Sequence, residues 1–565
     1  MRLGRHRGQG QKKFTLSRSA ATATSSPTLE GDDWVAGGTI DGVNLPQTRL
    51  VTTFTRNTDA GTTHSVSTLG EFNTALAAQA SQNNPKIVIT ANIDFAGSIS
   101  PPRRTGTGDC QIISSNFDSA TPPKSPGQRV VVGDLVNMKR LRQTSQNSPL
   151  FLFAYGASRA NNYRIIGLEL TTTANQQQSL VEITGGTSTL ADIAEWIGVD
   201  RCYIYGVPHA TNTTNLRRGI LMDGKSCYCL DSSIVGIRDE GNSQGQGIAM
   251  LNAPGPLKIV NNGLQVASEN FFSGGSSSLR TPSDIEFRYN HLYKDPAWEG
   301  VYPVHNHVEF KFARRVYMYG NVMDYCWTSG QTGTSVLFVS TSQTGVGDGA
   351  QYKTSDIILS HGLHRYYQEP FRVFGSGEDS SQSTDRILLK QLVFAQARSD
   401  ASQALISSGG GAGGALTDCA IKRCTVEMKG LYWHLNVEAT VDINSLTVTD
   451  CILTGGVDPN WDKGPFGASG GAGGSTAIAN ATTTSNITGN ACRSTWTAST
   501  ISGNTSSVAS TFAAMFTNYA GGDYSVAAGN WAKGVATGGA DPGADWTVVS
   551  AAIQYTESGQ RPAEI

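Results

Sequence analysis

A chain of 565 residues with 16% charged side chains, 64 glycines and a formal net charge of -2 has no bulk electrostatic means of capturing nucleic acid. It holds no apolar run long enough to span a bilayer as a helix. Low charge and abundant glycine suit a turn-rich, all-β protein of an extracellular, virion or cell surface.

Residues 1–32, MRLGRHRGQGQKKFTLSRSAATATSSPTLEGD, begin basic and continue Ser/Thr-rich. The apolar stretch that a secretory signal needs after its positive start is missing from them. They read either as an arm that attaches the protein to a particle or partner, or as a solvated tail. Residues 33–110 are expected to form an N-terminal cap. Within it, HSVSTLGEFNTALAAQAS at 65–82 predicts a helix with a capping box, Thr68 as N-cap and Glu71 reaching back to it. Leu69, Phe72, Leu76 and Ala80 fall on one face of that helix. KIVITANIDF (Lys86–Phe95) follows as a strand. A helix placed here would close the open end of a stack of strands.

From 111 to 456 the chain repeats. LKIVNNGL from Leu257, IEFRYNHL from Ile285 and VYMYGNVM from Val316 each alternate apolar with polar residues and reach Asn262, Asn290 or Asn321 at the sixth position. Period-two alternation marks a strand, and Asn at a fixed offset marks a turn. Matching lines start at Tyr163, Ile197, Cys227, Ile357, Ile387, Cys419 and Leu446, spaced about 27 to 34 residues apart with one interval of about 41. Short strands at that period, without a helical pattern between them, describe a right-handed parallel β-helix in which like positions stack. The sixth-position column reads Leu168, Cys202, Ser232, Asn262, Asn290, Asn321, Gly362, Leu392, Cys424, Cys451. An asparagine ladder is therefore expected in mid-stack, giving way to small and apolar residues at both ends. Cys202, Cys424 and Cys451 read as small buried hydrophobes. Cys227 and Cys229 share one face of a strand, as core residues or as half of a zinc site with no second ligand pair at suitable spacing.

The long interval, CWTSGQTGTSVLFVSTSQTGVGDGAQYKT from Cys326 to Thr354, must leave the coil as a loop carrying Trp327. A second strand recurs between the ladder lines as ENFFS (Glu269–Ser273), VEFKF (Val308–Phe312), SVLFV (Ser335–Val339) and PFRVF (Pro370–Phe374). If Phe310 and Phe312 point inward, Glu309 and Lys311 point out, as does Arg372 between Phe371 and Val373. Glu309, Lys311 and Arg372 then form either a ligand site near Trp327 or a salt-bridged solvated face. Glu269 has the inward parity of Phe271, so its carboxylate is either bonded to turn amides or part of a catalytic or binding site. His305, His307, His361 and His364 lie in the same region, and Arg-Arg pairs at Arg103–Arg104, Arg217–Arg218 and Arg314–Arg315 offer contacts to anionic sugar. After about Gly455 the repeat weakens. Residues 457–565 are expected to form degenerate coils, among them NITGN and TISGNTSS, and a C-terminal cap.

The opening STLGEFNTALAA followed by PKIVITANI resembles the helix and strand that begin pectate lyases. The stretch from about 150 to 456 resembles a family of uncharacterised bacterial right-handed β-helix proteins, on YRIIGLEL, VDRCYIYG, LRRGILMDG, GPLKIVNNGLQVASENFFSGG, PSDIEFRYNHLYK and FARRVYMYGNV. The resemblance implies a pectin-lyase-like fold and supplies no assigned catalytic residues. Lyases of this fold use acidic residues for calcium and an Arg or Lys base, and glycosidases use two spaced carboxylates. The paired Asp and Gly-His-Gly of polygalacturonases are absent. Two functions stay open: a tailspike-like structural or adhesive protein contacting a polysaccharide or cell-surface glycan, or a polysaccharide lyase or glycoside hydrolase. Under the second, Glu269, Glu309, Lys311 and Arg372 are the catalytic candidates and Trp327, Arg314 and His305 the substrate contacts, with calcium the only metal expected, and then only for a lyase. The expected assembly is a trimer or attachment to a particle through the N-terminal arm.

Overall fold

The computed structural model describes residues 34–50, 61–173 and 176–562, the last stretch with gaps of which the longest are 207–215, 239–244, 343–348, 399–403, 408–413, 437–442, 455–465, 469–477 and 494–501. The arm at 1–32 lies outside the described residues. Three parallel sheets, of 14, 11 and 14 strands, make a parallel β-helix. In a typical coil Leu257–Val260 belongs to sheet I, Gly263–Val266 to sheet II and Glu269–Ser273 to sheet III. The next coil pairs in register with each, Leu257 with Ile285, Gly263 with His291 and Phe271 with Val308. At about 4.8 Å per strand the 14-stranded sheets extend on the order of 60 Å. Stacking places one inward residue per coil in a continuous column, such as Ile259, Phe287, Met318, Leu359 and Leu389, all fully buried.

The bend from sheet I to sheet II explains the sixth-position column. Arg201, Asp231, Asn261, Tyr289, His361, Gln391, Arg423 and Asp450 all take a left-handed backbone with φ near 50–58°, and Gly320 takes φ 66°. Each stands immediately before its column residue, so each of these coils turns through one left-handed residue and then sets the column residue against the interior. Non-glycine residues hold this conformation at a cost, and the column behind them supplies compensating bonds. The Asn290 Oδ1 accepts from the main-chain N and Nδ2 of Asn262 at 2.8 and 3.0 Å. Asn290 in turn donates its main-chain N to Asn321 Oδ1 at 2.9 Å and its Nδ2 to the Ile259 carbonyl at 3.0 Å. Ser232 and Cys202 extend the row, with Ser232 N on Asn262 Oδ1 and Cys202 N on Ser232 Oγ, both at 3.0 Å. The ladder does not simply fade at its far end. Beyond Cys451 it resumes at Asn490 and Asn504, which accept from Cys451 N and from Asn490 N at 2.8 and 3.1 Å. These are the asparagines that end NITGN and ISGN, so the degenerate segments are coils of the same stack. All nine cysteines are free and buried, and burial pushes the thiols of Cys110, Cys202, Cys227 and Cys419 up to about 12. They pack as hydrophobes.

The capping helix α1 spans Leu69–Ala78 with the Thr68–Glu71 capping box in place. It is shorter than 65–82 because Thr63–Val66 already serves as the first strand of sheet I and Gln79–Ser81 tightens into a 3-10 turn. Phe72, Ala75 and Leu76 are its buried face, whereas Leu69 is exposed. Phe72 closes on Phe95 edge to face at 5.4 Å, sealing the end of the core.

Two straps grip the outside of the rod. Residues 34–50 cross the outer face of sheet I, where Trp34, Val43, Leu45 and Leu50 pack on Tyr228, Val260, Tyr317, Ile358 and Leu388. Asn44 Nδ2 donates to Asp356 at 2.7 Å, Gln47 N donates to Asp284 at 2.7 Å, and Lys258 Nζ donates to the Leu50 carbonyl at 3.2 Å. The C-terminal segment, expected as a cap, runs back along the rod instead. Thr537 N bonds Asp450, Asp545 N bonds Gln391, Thr556 Oγ1 bonds the Gly320 carbonyl, and Arg561 pairs with Asp231. Helix α2, Trp546–Ser558, lies on this path with Asp545 as N-cap and Gly559 at φ 65° ending it. Its Val549 and Ile553 join Phe512, Phe516 and Tyr524 against Val322, Leu363, Val393 and Ile452 of sheet II. Among the described residues no helix is long and apolar enough to cross a membrane.

Candidate functional site

The strands expected to carry the site are neighbours in sheet III: Glu269–Ser273, Val308–Phe310, Thr334–Phe338 and Glu369–Phe374. Register sets Phe272 beside Glu309, Glu309 beside Leu337, and Leu337 beside Arg372, so Glu309 and Arg372 share the outward row. They are not adjacent coils, because Leu337 stands between them. The alignment read from sequence slips by two residues between Glu269–Ser273 and Val308–Phe310, and by one between the latter and Thr334–Phe338. Loops of unequal length enter sheet III, and strand lines alone do not measure them.

Outward parity did not leave Glu309 in solvent. The residue is 1% exposed. Its Oε1 lies 3.1 Å from Lys311 Nζ and its Oε2 accepts from Asn306 Nδ2 at 2.6 Å. Lys311 also sits 5.6 Å over the Phe272 ring. Burial pushes the Glu309 carboxyl above its ordinary range, Lys311 pulls it back, and the charge of Glu269 adds to the rise. Arg372 does not reach Glu309. It forks onto Glu369, Nε to Oε2 at 2.5 Å and Nη2 to Oε1 at 2.7 Å. Glu369 was not singled out from the sequence, although EPF repeats the offset of ENF: each Glu stands two residues before an inward Phe.

That offset defines a second buried polar column at the entry to sheet III. Register aligns Arg218, Gln246 and Glu269, and separately Thr334 and Glu369, each two residues ahead of an inward apolar side chain. Arg218 Nε donates to Gln246 Oε1 at 2.6 Å, and Thr334 Oγ1 to Glu369 Oε2 at 2.7 Å. Glu269, fully buried, is bonded not to turn amides but to His305 Nδ1 at 2.9 Å. Beside it Lys294, fully buried, gives Nζ to the carbonyls of Ala267, Ser268 and Asn306 and to Asn270 Oδ1 at 2.5–3.2 Å. Desolvation pulls that ammonium down to about 8. His307 Nδ1 meets Asn270 Oδ1 at 3.0 Å and His364 Nδ1 meets Ser335 Oγ at 2.8 Å. Burial holds both rings neutral, His307 well below the usual histidine range and His364 at about 3. The interior of these coils is thus a polar filament running through an apolar core.

Trp327 belongs to that core and is 2% exposed, so it offers no platform to a sugar. The chain after it rejoins sheet III as Thr334–Phe338, and the extra length of this coil follows that strand, where Tyr352 meets Phe312 edge to face at 5.3 Å. Arg314 is exposed on Ala313–Tyr319 of sheet I and joins none of the other candidates. Among the described residues no group of three or more His, Cys, Asp or Glu side chains is placed to hold a metal ion. The structure therefore brings together Glu269 with His305 and Glu309 with Lys311, and leaves Arg372, Trp327 and Arg314 apart from them.

A buried, partnered carboxylate makes a stability prediction. Glu309→Ala leaves Lys311 and Asn306 without their acceptor and should lower the unfolding free energy by roughly 2 kcal/mol, Lys311 keeping partial hydration and its place over Phe272. Denaturant titration of the two proteins checks this, and equal midpoints would return Glu309 to a solvated face. Set beside known proteins, the chain matches no family model and no curated relative.

Proposed function

We propose that this chain is a rigid outer-surface rod that contacts polysaccharide through its side faces and acts as a structural or adhesive, tailspike-like protein rather than as an enzyme. One observation carries the choice. Glu269, Glu309 and Glu369 are 0%, 1% and 3% exposed and each is held by a partner within the protein. Acid–base catalysis on a polymer requires a carboxylate within hydrogen-bond reach of the scissile linkage, and a lyase requires an open acidic cluster for calcium. The likeness of the opening segment to pectate lyases then reflects a shared way of capping a β-helix and not shared chemistry. Straps on two sides stiffen the rod, which suits a load-bearing surface part. On the flank of sheet II, Tyr325 and Tyr366 stack at 4.6 Å and 12°, with Tyr366 37% exposed, next to the Arg365–Asp324 pair at 2.8 Å. A flat aromatic surface beside fixed charge is the composition that sugar rings favour.

The test is a panel of neutral and acidic polysaccharides. Retention of the protein on at least one of them, with no rise in reducing ends and no unsaturated-uronate absorbance, is the expected result. Release of either product would overturn the non-catalytic reading. Failure to bind any member would overturn polysaccharide contact.

A further inference from the structure

The bend from sheet III into sheet I has a left-handed column of its own. Register sets Asn162, Trp196 and Ser226 at one level of three successive coils, each just ahead of a buried residue of sheet I, and all three hold φ between 55° and 58°. The same turn recurs further along the rod at Asp284, Arg315, Asp356 and Arg386, with φ between 51° and 58°. Asn and Asp enter this conformation most readily, because their short polar side chains bond the local backbone. Arg315 and Arg386 fork from it onto Asp284 and Asp356 at 2.6–2.7 Å. Trp196 is the one aromatic side chain among these turns. A large ring gains nothing from a left-handed backbone, and this one is 42% exposed, so burial offsets the strain only in part. A conformational cost kept without matching burial points to a role outside the chain's own packing.

The neighbouring groups are charged and loosely held. Glu195, next to Trp196, stands 3.6 Å from Arg159 Nη2 through one oxygen and 3.6 Å from Lys225 Nζ through the other. Both distances exceed a hydrogen bond, and the Lys225 side chain is 47% exposed. Arg103, also exposed, donates from Nη1 to the Ala157 carbonyl at 3.4 Å. Ala157 and Arg159 belong to the loop before Asn162, whose Tyr155 is 45% exposed. A bond from Gly156 N to the Asp192 carbonyl at 2.7 Å ties this loop to the one before Trp196. Three cations and two carboxylates, Glu195 and the half-buried Asp192, thus lie on these linked segments with two accessible aromatic rings. Two cations that share one carboxylate keep charge for a second, and arginine binds a carboxylate through parallel N–H bonds. Unlike the sealed pairs of sheet III, these groups have surface that a ligand can reach.

We propose that Trp196 and Tyr155 form a subsite for an acidic saccharide at the edge between sheets III and I. The C–H face of the sugar rests on the Trp196 indole and its carboxylate meets Arg159 and Lys225, with Arg103 placed for a second anionic group along the polymer. This rests on the polysaccharide reading and narrows it to a uronate-bearing chain.

Affinity electrophoresis of the full protein through gels containing alginate, hyaluronan or, as the neutral chain, dextran tests the subsite. Retardation by at least one acidic chain is expected. Trp196→Asn installs the residue that already serves at position 162, and should weaken that binding about tenfold while melting within a few degrees of the wild type. Trp196→Phe keeps a flat face and should retain most of the binding. Lys225→Ala should weaken acidic-chain binding a few-fold and lessen its dependence on salt. Unchanged retardation of Trp196→Asn, or no retardation of the wild type in either acidic gel, overturns the subsite. A large fall in the melting temperature of Trp196→Asn would make the indole a packing element and overturn it as well. The wider polysaccharide panel separates the two readings: if it still retains the protein, the adhesive reading stands and only the subsite falls.

Discussion

Asn290→Leu is expected to lower folding stability by about 3–5 kcal/mol. Leucine branches at the same atom as asparagine and is the larger side chain, so the loss comes from bonds and not from a cavity. Asn290 Oδ1 accepts from two Asn262 donors and Asn290 Nδ2 donates to Ile259. Removing the amide strands a main-chain N–H, a side-chain N–H and a carbonyl in a row that no water reaches, and each orphan costs about 1–3 kcal/mol before relaxation. Asn290 also follows Tyr289, whose left-handed φ of 56° is held in place by these bonds. Equilibrium denaturation measures the loss, and hydrogen exchange should locate it at the bends of residues 261–262, 289–290 and 320–321. In a solenoid each coil touches only its neighbours, so exchange in distant coils such as the one containing Ile387 should change little. A wild-type midpoint for the variant would show that the ladder contributes nothing.

That row was legible in the sequence because a β-helix puts equal offsets at equal places, so a column of Asn262, Asn290 and Asn321 reads as a physical stack. Strand parity was legible for the same reason: it placed Glu269 inside and Glu309 with Arg372 on the outer row of sheet III. Parity gives the face of a strand and is silent on what covers it. Glu309 faces outward and is nonetheless sealed by Asn306 and Lys311, and Arg372 found a closer acid in Glu369. Register depends on loop lengths between sheets, which is why the strand beginning at Val308 was set against Glu269 and not against Phe271. The straps left no periodic trace at all. Asn44 meets Asp356 across 312 residues and Thr556 meets Gly320 across 236, and such pairs are fixed by a three-dimensional path and not by a repeat.

Arg561→Ala should cost as much as the ladder variant, for an electrostatic reason. Arg561 Nε lies 3.0 Å from Asp231 Oδ1, Nη2 lies 3.1 Å from Oδ2, and the two side chains are 1% and 0% exposed. Asp231 is a left-handed bend residue whose carboxylate also accepts from Gly127 N at 2.7 Å and Asn261 Nδ2 at 2.8 Å. Deleting one partner of a buried, hydrogen-bonded ion pair leaves the other charge desolvated and costs about 3–5 kcal/mol. The neighbouring contacts share the load: the Gly559 carbonyl accepts from Arg129 N at 2.7 Å, and Arg129 Nη2 donates to the Thr556 carbonyl. Loss of the pair therefore loosens the last turn of α2 together with residues 127–130. Protection against hydrogen exchange should fall at residues 556–561 and 129–131 first, and limited proteolysis should find the C-terminal strap before it finds any coil. The double variant Arg561→Met with Asp231→Asn separates charge from geometry, since it removes both ions while the single amide oxygen still accepts from one of the two donors, Gly127 N or Asn261 Nδ2. It should recover much of the lost stability, because neutral groups of similar size carry no unpaired charge. Equal destabilisation in the single and double variants would mean that the fork geometry, not the buried charge, holds the strap to the rod.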